Sequence, residues 1–489
     1  GNIMAVDTLP SDYEQMQERW ELPLALSGGT PAMRKAGVKY LPQHPKESDK
    51  AYQNRLNQTV LFNYYKKTIQ SLVGQTFIRP VVVTNVPERL EYLEENFDGS
   101  GTTITDFAAG LLKNALNYGK AHTHTDFPVT NPGELRRDDF LKLKAFASNV
   151  NPENIIGWRV DTSRGFDDLI EVRLFETEDK FDDNWKEFRI KRIKVIRKST
   201  IDIYESIEHV DEELRAEEEA GFEFIETIPN SLGMIPIEVI YAEKTGFFTA
   251  VPPLEDMAYL NLRHYQSMSD QINILHIARV PFIFARGFEE GELDNAEIGP
   301  NRMVVSSNAD ADMGYVEHTG AAISAGQSDL ESLLKAIGQM GADILLAANS
   351  RADRQTAAAA VLDLSQSMST IQIVVRAIEQ DLKNIYKTAA RYMDVPEEEA
   401  EKISVTINDA SNLPSDPNPT DSVLKLLTEF GLSEDDILRE LKRRGIVSAA
   451  LDEISLNNTE NEVSNAEQSG VSEEFSESSD ENENEDSQS

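Results

Sequence analysis

The chain has 489 residues, 40% of them hydrophobic, with 85 Asp and Glu against 47 Lys and Arg, for a formal net charge of −38. That balance excludes holding DNA by broad neutralisation of its phosphates, and the absence of cysteine excludes disulfides, thiolate chemistry and Cys-ligated zinc. No apolar run approaches the roughly 18 residues of a membrane-spanning helix, and the length suits about three domains or one elongated, multi-part subunit.

The chain opens GNIM, with no basic region followed by an apolar one, so a secretory signal is not expected and Gly1 to Ile3 read as an expression scar. Residues 11 to 20 are expected to be helical, up to a Gly-Gly-Thr-Pro break at 28 to 31. A second helix is predicted from Asp49 to Gln75, with Tyr52, Leu56, Val60, Tyr64 and Ile69 on its apolar stripe. A shorter helix from Asp106 to Tyr118 should end at Gly119. Strand signals then dominate from Phe140 to Ile240, in FLKLKAFA, IIGWRV, LIEVRLFE, EFRIKRIKVIRK, TIDIYESI and IPIEVIYA, with an acidic interruption at 211 to 220. This reads as an α/β body.

From residue 251 the character changes. Pro253, Glu255 and Asp256 suit a helix start and Pro281 a helix stop, which predicts a rod roughly 40 Å long. PFIFARGF, RMVVSS and GYVEHTG, within 281 to 320, read as short strands. A second rod is expected from about Ser328, capped by Ser328 and Glu331, with Leu330, Leu333, Leu334, Ile337, Gly341, Ile344 and Leu345 on its packing face. The predicted unit is a helical hairpin with a β head. A further helix should run from Ala357 to about Met393, followed by the β-like SVTIND, a Pro-rich loop at 413 to 420 and two short helices. No Lys or Arg follows Arg444, and residues 458 to 489 are almost wholly Glu, Asp, Ser and Asn around Phe475, a composition expected to stay disordered.

Motifs for chemistry are sparse. The only Gly-Lys pair, Gly119-Lys120, lacks the surroundings of a P-loop, and neither G-x-S-x-G nor H-E-x-x-H occurs. One segment calls for a metal hypothesis. In GKAHTHTDFP, residues 119 to 128, the two-residue spacing of His122, His124 and Asp126 puts all three on one face of a strand. Imidazole and carboxylate suit zinc or iron, so a metal-dependent hydrolase is the rival function. Phe127 and Pro128 follow instead of another ligand, however, and the remaining histidines are scattered. The simpler expectation is a strand whose polar face carries Thr and His.

In order along the chain, KAGVKYLPQHP with AYQNRLNQTVLFNYYKKTIQSLVGQTFIRP (35 to 80), PENIIGWRVD (152 to 161), PPLEDMAYLNLRHYQSMSD (252 to 270), GYVEHTGAAISA (314 to 325) and GADILLAANSRADRQTAAAA resemble a tailed-bacteriophage portal protein of a portal-like family long labelled a domain of unknown function. The resemblance covers roughly residues 10 to 450 and leaves out the acidic tail. It implies an α+β portal fold: an N-terminal arm and α/β wing (1–250), a first stem helix (251–280), a β-rich clip (281–324) and a second stem helix (325–349). A channel loop and wing return helix (350–409), a helical crown (410–455) and the acidic tail (456–489) follow. It further implies a homo-oligomeric ring, usually of twelve subunits, at the portal vertex of the virion between capsid and tail, assembled in the host cytoplasm. Double-stranded DNA passes through it in packaging and ejection. The implied partners are the terminase large subunit, capsid protein and a head-completion adaptor, with no catalysis, no cofactor and no membrane. Under this reading Lys335, Arg351, Arg354 and Gln355 are candidates to face the DNA channel. Lys335 pairing with Glu331 at i, i+4, and the arginines pairing between subunits, are the alternatives. Phe288, Glu289, Glu290, Glu292 and Asp294 form an acidic turn that could dock a partner, or simply a solvated loop. Positions similar to the His122/His124 strand are usually apolar in the family, which leaves that pair without a family role.

Overall fold

The structure is a computed structural model, and it describes residues 5–128, 143–209, 221–279, 282–288, 308, 310–316, 320–342 and 357–407. The chain divides into two compact units, residues 1–410 and 411–489. The second unit, with nearly all of the expected crown and the whole acidic tail, lies outside the described residues.

The first unit opens with α1 (Ser11–Ala36), two helical stretches joined across a kink where Gly29 takes the non-helical φ 77° and ψ −162°, so the expected Gly-Gly-Thr-Pro break is present. The single helix expected over 49 to 75 is two, α2 (Asp49–Gln58) and α3 (Tyr64–Thr76), each capped by a side chain, Ser48 and Asn63 respectively. After β1 (Val82–Thr84), helix α4 (Ile104–Tyr118) is capped by Thr103 and closed by Gly119 at φ 83°. A Cβ at Gly119 would stand 2.2 Å from the Val251 carbonyl oxygen, so both the backbone angle and the close approach require glycine.

The chain then enters β2 (Lys120–Asp126), β3 (Phe146–Val150), β4 (Ile155–Asp161), β5 (Asp168–Phe181), β6 (Glu187–Arg197), β7 (Thr200–His209), β8 (Glu223–Pro229) and β9 (Ile237–Tyr241). These form a three-stranded sheet of order β3-β2-β9 and a five-stranded sheet of order β4-β5-β6-β7-β8. Every pairing is antiparallel. The body is therefore α+β and not the expected α/β: parallel pairing, which crossover helices would serve, does not occur among its described strands. Strand β8 had no separate signal in the sequence. The small hairpin of β10 (Lys244–Gly246) and β11 (Thr249–Ala250) leads to the helical hairpin.

Strand β6 is the basic EFRIKRIKVIRK run, and its charges lock the register of the larger sheet. Arg189 pairs with Asp179 at 2.6 Å, Arg192 with Glu205 at 2.7 Å, Lys194 with Glu176 at 2.9 Å and Lys191 with Glu208 at 2.8 Å. Nearer the core, Arg197 reaches Glu171 at 2.8 Å and Lys198 reaches Asp168 at 2.6 Å. A one-residue slip would set like charges opposite each other and turn the buried face outward. This dense basic run is consumed within its own sheet and is not a free surface for phosphate.

One face of the larger sheet buries Val172, Leu174 and Ile196 with Val150, Ile237 and Phe248. Its other face buries Ile193 and Val195 under Tyr13, Met16 and Trp20 of α1. The main core joins α1 to α4 with Ala121 and Ala147 of the smaller sheet, and with a long helix described below. The pairing of β1 with β14 (Ser404–Thr406) ties an early segment to the end of the described chain.

Candidate functional site

The hairpin predicted after residue 251 is present. Helix α5 (Glu255–Arg279) is followed by β12 (Phe282–Arg286), β13 (Asp312–Val316) and helix α6 (Ala321–Ile337). At 25 residues, α5 is about 38 Å long. β12 and β13 pair antiparallel from Phe282↔Val316 to Arg286↔Asp312, with an Arg286–Asp312 ion pair at 3.1 Å. The phenyl ring of Phe284 lies over Gly314, where a Cβ would stand 2.9 Å from it. The two helices meet closely at Gly326, where Gln271 lays its amide across the glycine and donates to the Ile323 carbonyl at 3.0 Å. Ser267 donates to Asp329 at 3.0 Å.

Helix α6 begins at Ala321, after Gly320 at φ 74°, seven residues before the expected start. Ser328 and Glu331 are no capping box. The Ser328 carbonyl accepts from the Ser332 hydroxyl, and Glu331 accepts from Gln327. The Ser-x-x-Glu pattern here is ordinary spacing on an exposed helix face.

The paired helices do not stand free of their own chain. Met257, Ala258 and Tyr265 of α5 and Ile337 of α6 belong to the main core. Asn261 holds the α2–α3 break, accepting from the Tyr65 N–H at 2.9 Å and donating to the Phe62 carbonyl at 2.9 Å. Thr59 donates to Ser269 at 2.9 Å, and Arg55, paired with Glu47 at 2.7 Å, lies beside it. The expectation that the pair needs neighbours all along its sides is thus corrected for this stretch: α1, α2 and α3 supply them.

Of the channel candidates, Lys335 is exposed near the end of α6 and has no ion pair among the described residues, Glu331 taking its bond from Gln327. Arg351, Arg354 and Gln355 lie outside the described residues. So do Glu289, Glu290, Glu292 and Asp294, while Phe288 is half-buried just after β12. Gly287 takes φ 74°, and its carbonyl accepts from Asn308 at 2.7 Å. After α6, helix α7 (Ala357–Tyr392) matches the predicted bounds to within a residue.

The His-Thr-His-Thr strand is β2, the centre of the smaller sheet, and it is buried on both faces up to Thr125. The expected strand with Thr and His on it is present, but those polar side chains are buried. On one face Lys120 is fully enclosed: its Nζ donates to the Phe248 carbonyl at 2.6 Å and sits 5.2 to 5.9 Å from the rings of Trp158, Trp20 and Phe248. Burial pulls its pKa down to about 7. His122 Nδ1 is 3.2 Å from the Glu238 carbonyl, its Nε2 has no partner, and its ring meets Phe248 edge-on at 4.9 Å. Burial and the neighbouring Lys120 hold its pKa well below the usual imidazole range. His124 and Asp126 line a cavity of about 320 Å³ together with Phe146, Lys194, Ile201 and Tyr392.

On the other face the Thr123 hydroxyl lies 2.9 and 3.0 Å from the two carboxyl oxygens of Asp381, a buried residue of α7. Burial, then the nearby Glu238, push the Asp381 pKa well above the carboxylate range, and burial raises Glu238 as well. Sequence reading missed Lys120 and Asp381, because their charge argued for the surface. Among the described residues no group of three or more His, Asp or Glu is placed to hold a metal ion, and no helix is long and apolar enough to cross a membrane.

A family described as "Domain of unknown function (DUF4055)" matches residues 253–393, the stretch from the start of α5 to the end of α7. No curated protein matches the chain. Among solved structures, similarity is found to a chain of the "Virion of native gene transfer agent (GTA) particle", with 11% identity, 78% of this chain and 89% of that chain covered, and a TM-score of 0.41. The "Neck of native GTA particle computed with C12 symmetry" gives 10% identity, 84% and 98% coverage and a TM-score of 0.39. The "Neck of empty GTA particle computed with C6 symmetry" gives 12%, 76%, 88% and 0.41. All three scores lie below 0.5, and the likeness stops at a coarse level.

Proposed function

We propose that the chain is a portal subunit: a non-enzymatic ring component that conducts double-stranded DNA at a capsid vertex and docks a packaging motor and head-completion proteins. The observation that carries this reading is the antiparallel α5/α6 pair with, among the described residues, a two-stranded β head, and the long α7 later in the chain. That arrangement supports the order of stem, clip and return helix which the sequence resemblance implies. The rods lie against their own body on one side, and the ring would supply neighbours on the rest. An acidic wall suits a conduit, because it avoids the counterion-release affinity that would trap a duplex.

Within this reading Lys335, Arg351, Arg354 and Gln355 line the channel, and the acidic turn after Phe288 is the docking surface. Sedimentation of the purified chain tests the assembly. The reading expects a species about twelve times the 54.7 kDa chain mass. A monomer at every concentration would remove the ring, and with it the conduit.

A further inference from the structure

We propose that Lys120 and His122 form a proton-sensitive latch: uncharged, they seal the junction of α1, the three-stranded sheet and the β10–β11 turn, and protonation loosens it. This inference stands independently of the ring reading. The geometry is that of a site closed around neutral bases. Lys120 reaches from the centre of the sheet into a box made by Trp20 of α1, Trp158 of β4 and Phe248 of the β10–β11 turn. Its one hydrogen-bond acceptor among the described residues is the Phe248 carbonyl. Phe248 is itself fixed at φ 56°, with its N–H on the Tyr241 hydroxyl at 2.8 Å and its ring stacked on Phe247. His122, next on the same face, has a ring nitrogen with nothing to bond and no access to water.

Among the described residues no carboxylate is bonded to either base. On the α1 and α4 side, Tyr13 and Tyr118 donate to Glu153, through its backbone carbonyl and its carboxylate respectively. On the β9 and β10 side, Tyr241 has Asp167 and Lys244 about it. Glu238 and Asp381 act on the opposite face, at Thr123. Asp126, Glu176 and Lys194 surround His124, further along the strand. A proton added to Lys120 or His122 therefore has no counter-charge to meet, and ring faces alone offset little of the cost of an enclosed ion.

The sign follows from linkage. Lys120 has a folded pKa near 7 against 10.5 for the free side chain, so its contribution is lost as pH falls from 10.5 to about 7, below which it is charged in place. His122 adds a second loss below its ordinary 6.5.

Two of the three tryptophans are the box itself, and the third, Trp185, is 86% exposed and can be removed. The test is indole emission of the full chain carrying Trp185→Phe, titrated from pH 9 to pH 5. The expected result is a step centred near pH 7 that Lys120→Met abolishes. His122→Phe keeps that step and removes the further change at lower pH. Hydrogen exchange of residues 119–125, corrected for intrinsic rates, should be about tenfold faster at pH 6 than at pH 8. Emission flat with pH in a folded chain, or a step retained by Lys120→Met, overturns the latch. Should Lys120→Met fail to fold, the exchange comparison on the Trp185→Phe chain decides, and equal protection at the two pH values overturns it.

Discussion

At the scale of single residues, the buried polar groups of β2 make the sharpest predictions. Asp381 is held neutral by its surroundings, so folding is penalised once the unfolded carboxyl ionises. Stability from this group falls as pH rises from about 4 toward the raised folded pKa. Asp381→Asn keeps the shape and removes the proton, so it should flatten this slope and raise stability at pH 8 relative to pH 5, read by urea denaturation at both. Thr123→Val removes the hydroxyl that bonds Asp381 and should cost about 1–3 kcal/mol, since a buried carboxyl loses its partner. Gly119→Ala places a Cβ against the Val251 carbonyl at a left-handed φ and should cost about 1–3 kcal/mol or more by the same denaturation. The HxHxD spacing was legible as a strand with its three side chains in step. That the strand lies in the middle of a packed sheet was not, because nothing local announces an aromatic box assembled from residues 20, 158 and 248.

At the scale of elements, charge and glycine fix what hydrophobic periodicity leaves open. Arg192→Glu would face Glu205 and Glu178 across two strands, and the like charges should cost up to about 1 kcal/mol at this partly exposed site. Adding Glu205→Arg should recover most of it in a double-mutant cycle, and no recovery would mean that the ladder does not hold the register. Gly326→Leu should separate α5 from α6, because Gln271 occupies the space above the glycine. The expected sign is loss of helix-pair protection in hydrogen exchange with the β sheets unaffected. Much of this layer was readable in advance. Gly119 punctuates a helix by known stereochemistry, and α7 kept its predicted bounds because its apolar spacing runs unbroken. The errors share a cause. Thr59 to Asn63 breaks the 49–75 stripe without Gly or Pro, and Asn63 caps the next helix where the stripe alone reads on. The start of α6 was displaced because a Ser-x-x-Glu pair on an exposed face copies a capping box in sequence but makes other bonds.

For the whole molecule, the α5/α6 pair is both anchored and incomplete. Its inner side joins the core through Met257, Tyr265 and Ile337, while Tyr259 and Met340 remain exposed on the segments that carry it. Among the described residues the β head is a two-stranded ladder, and isolated hairpins of that size are marginal in water. Both features fit a subunit whose surroundings are copies of itself. Electron microscopy of the purified chain in negative stain tests this most directly. The proposed function predicts annular particles with a central hole in end-on views. Uniform, solitary particles of single-chain size at high concentration, with no rings in any view, would contradict it.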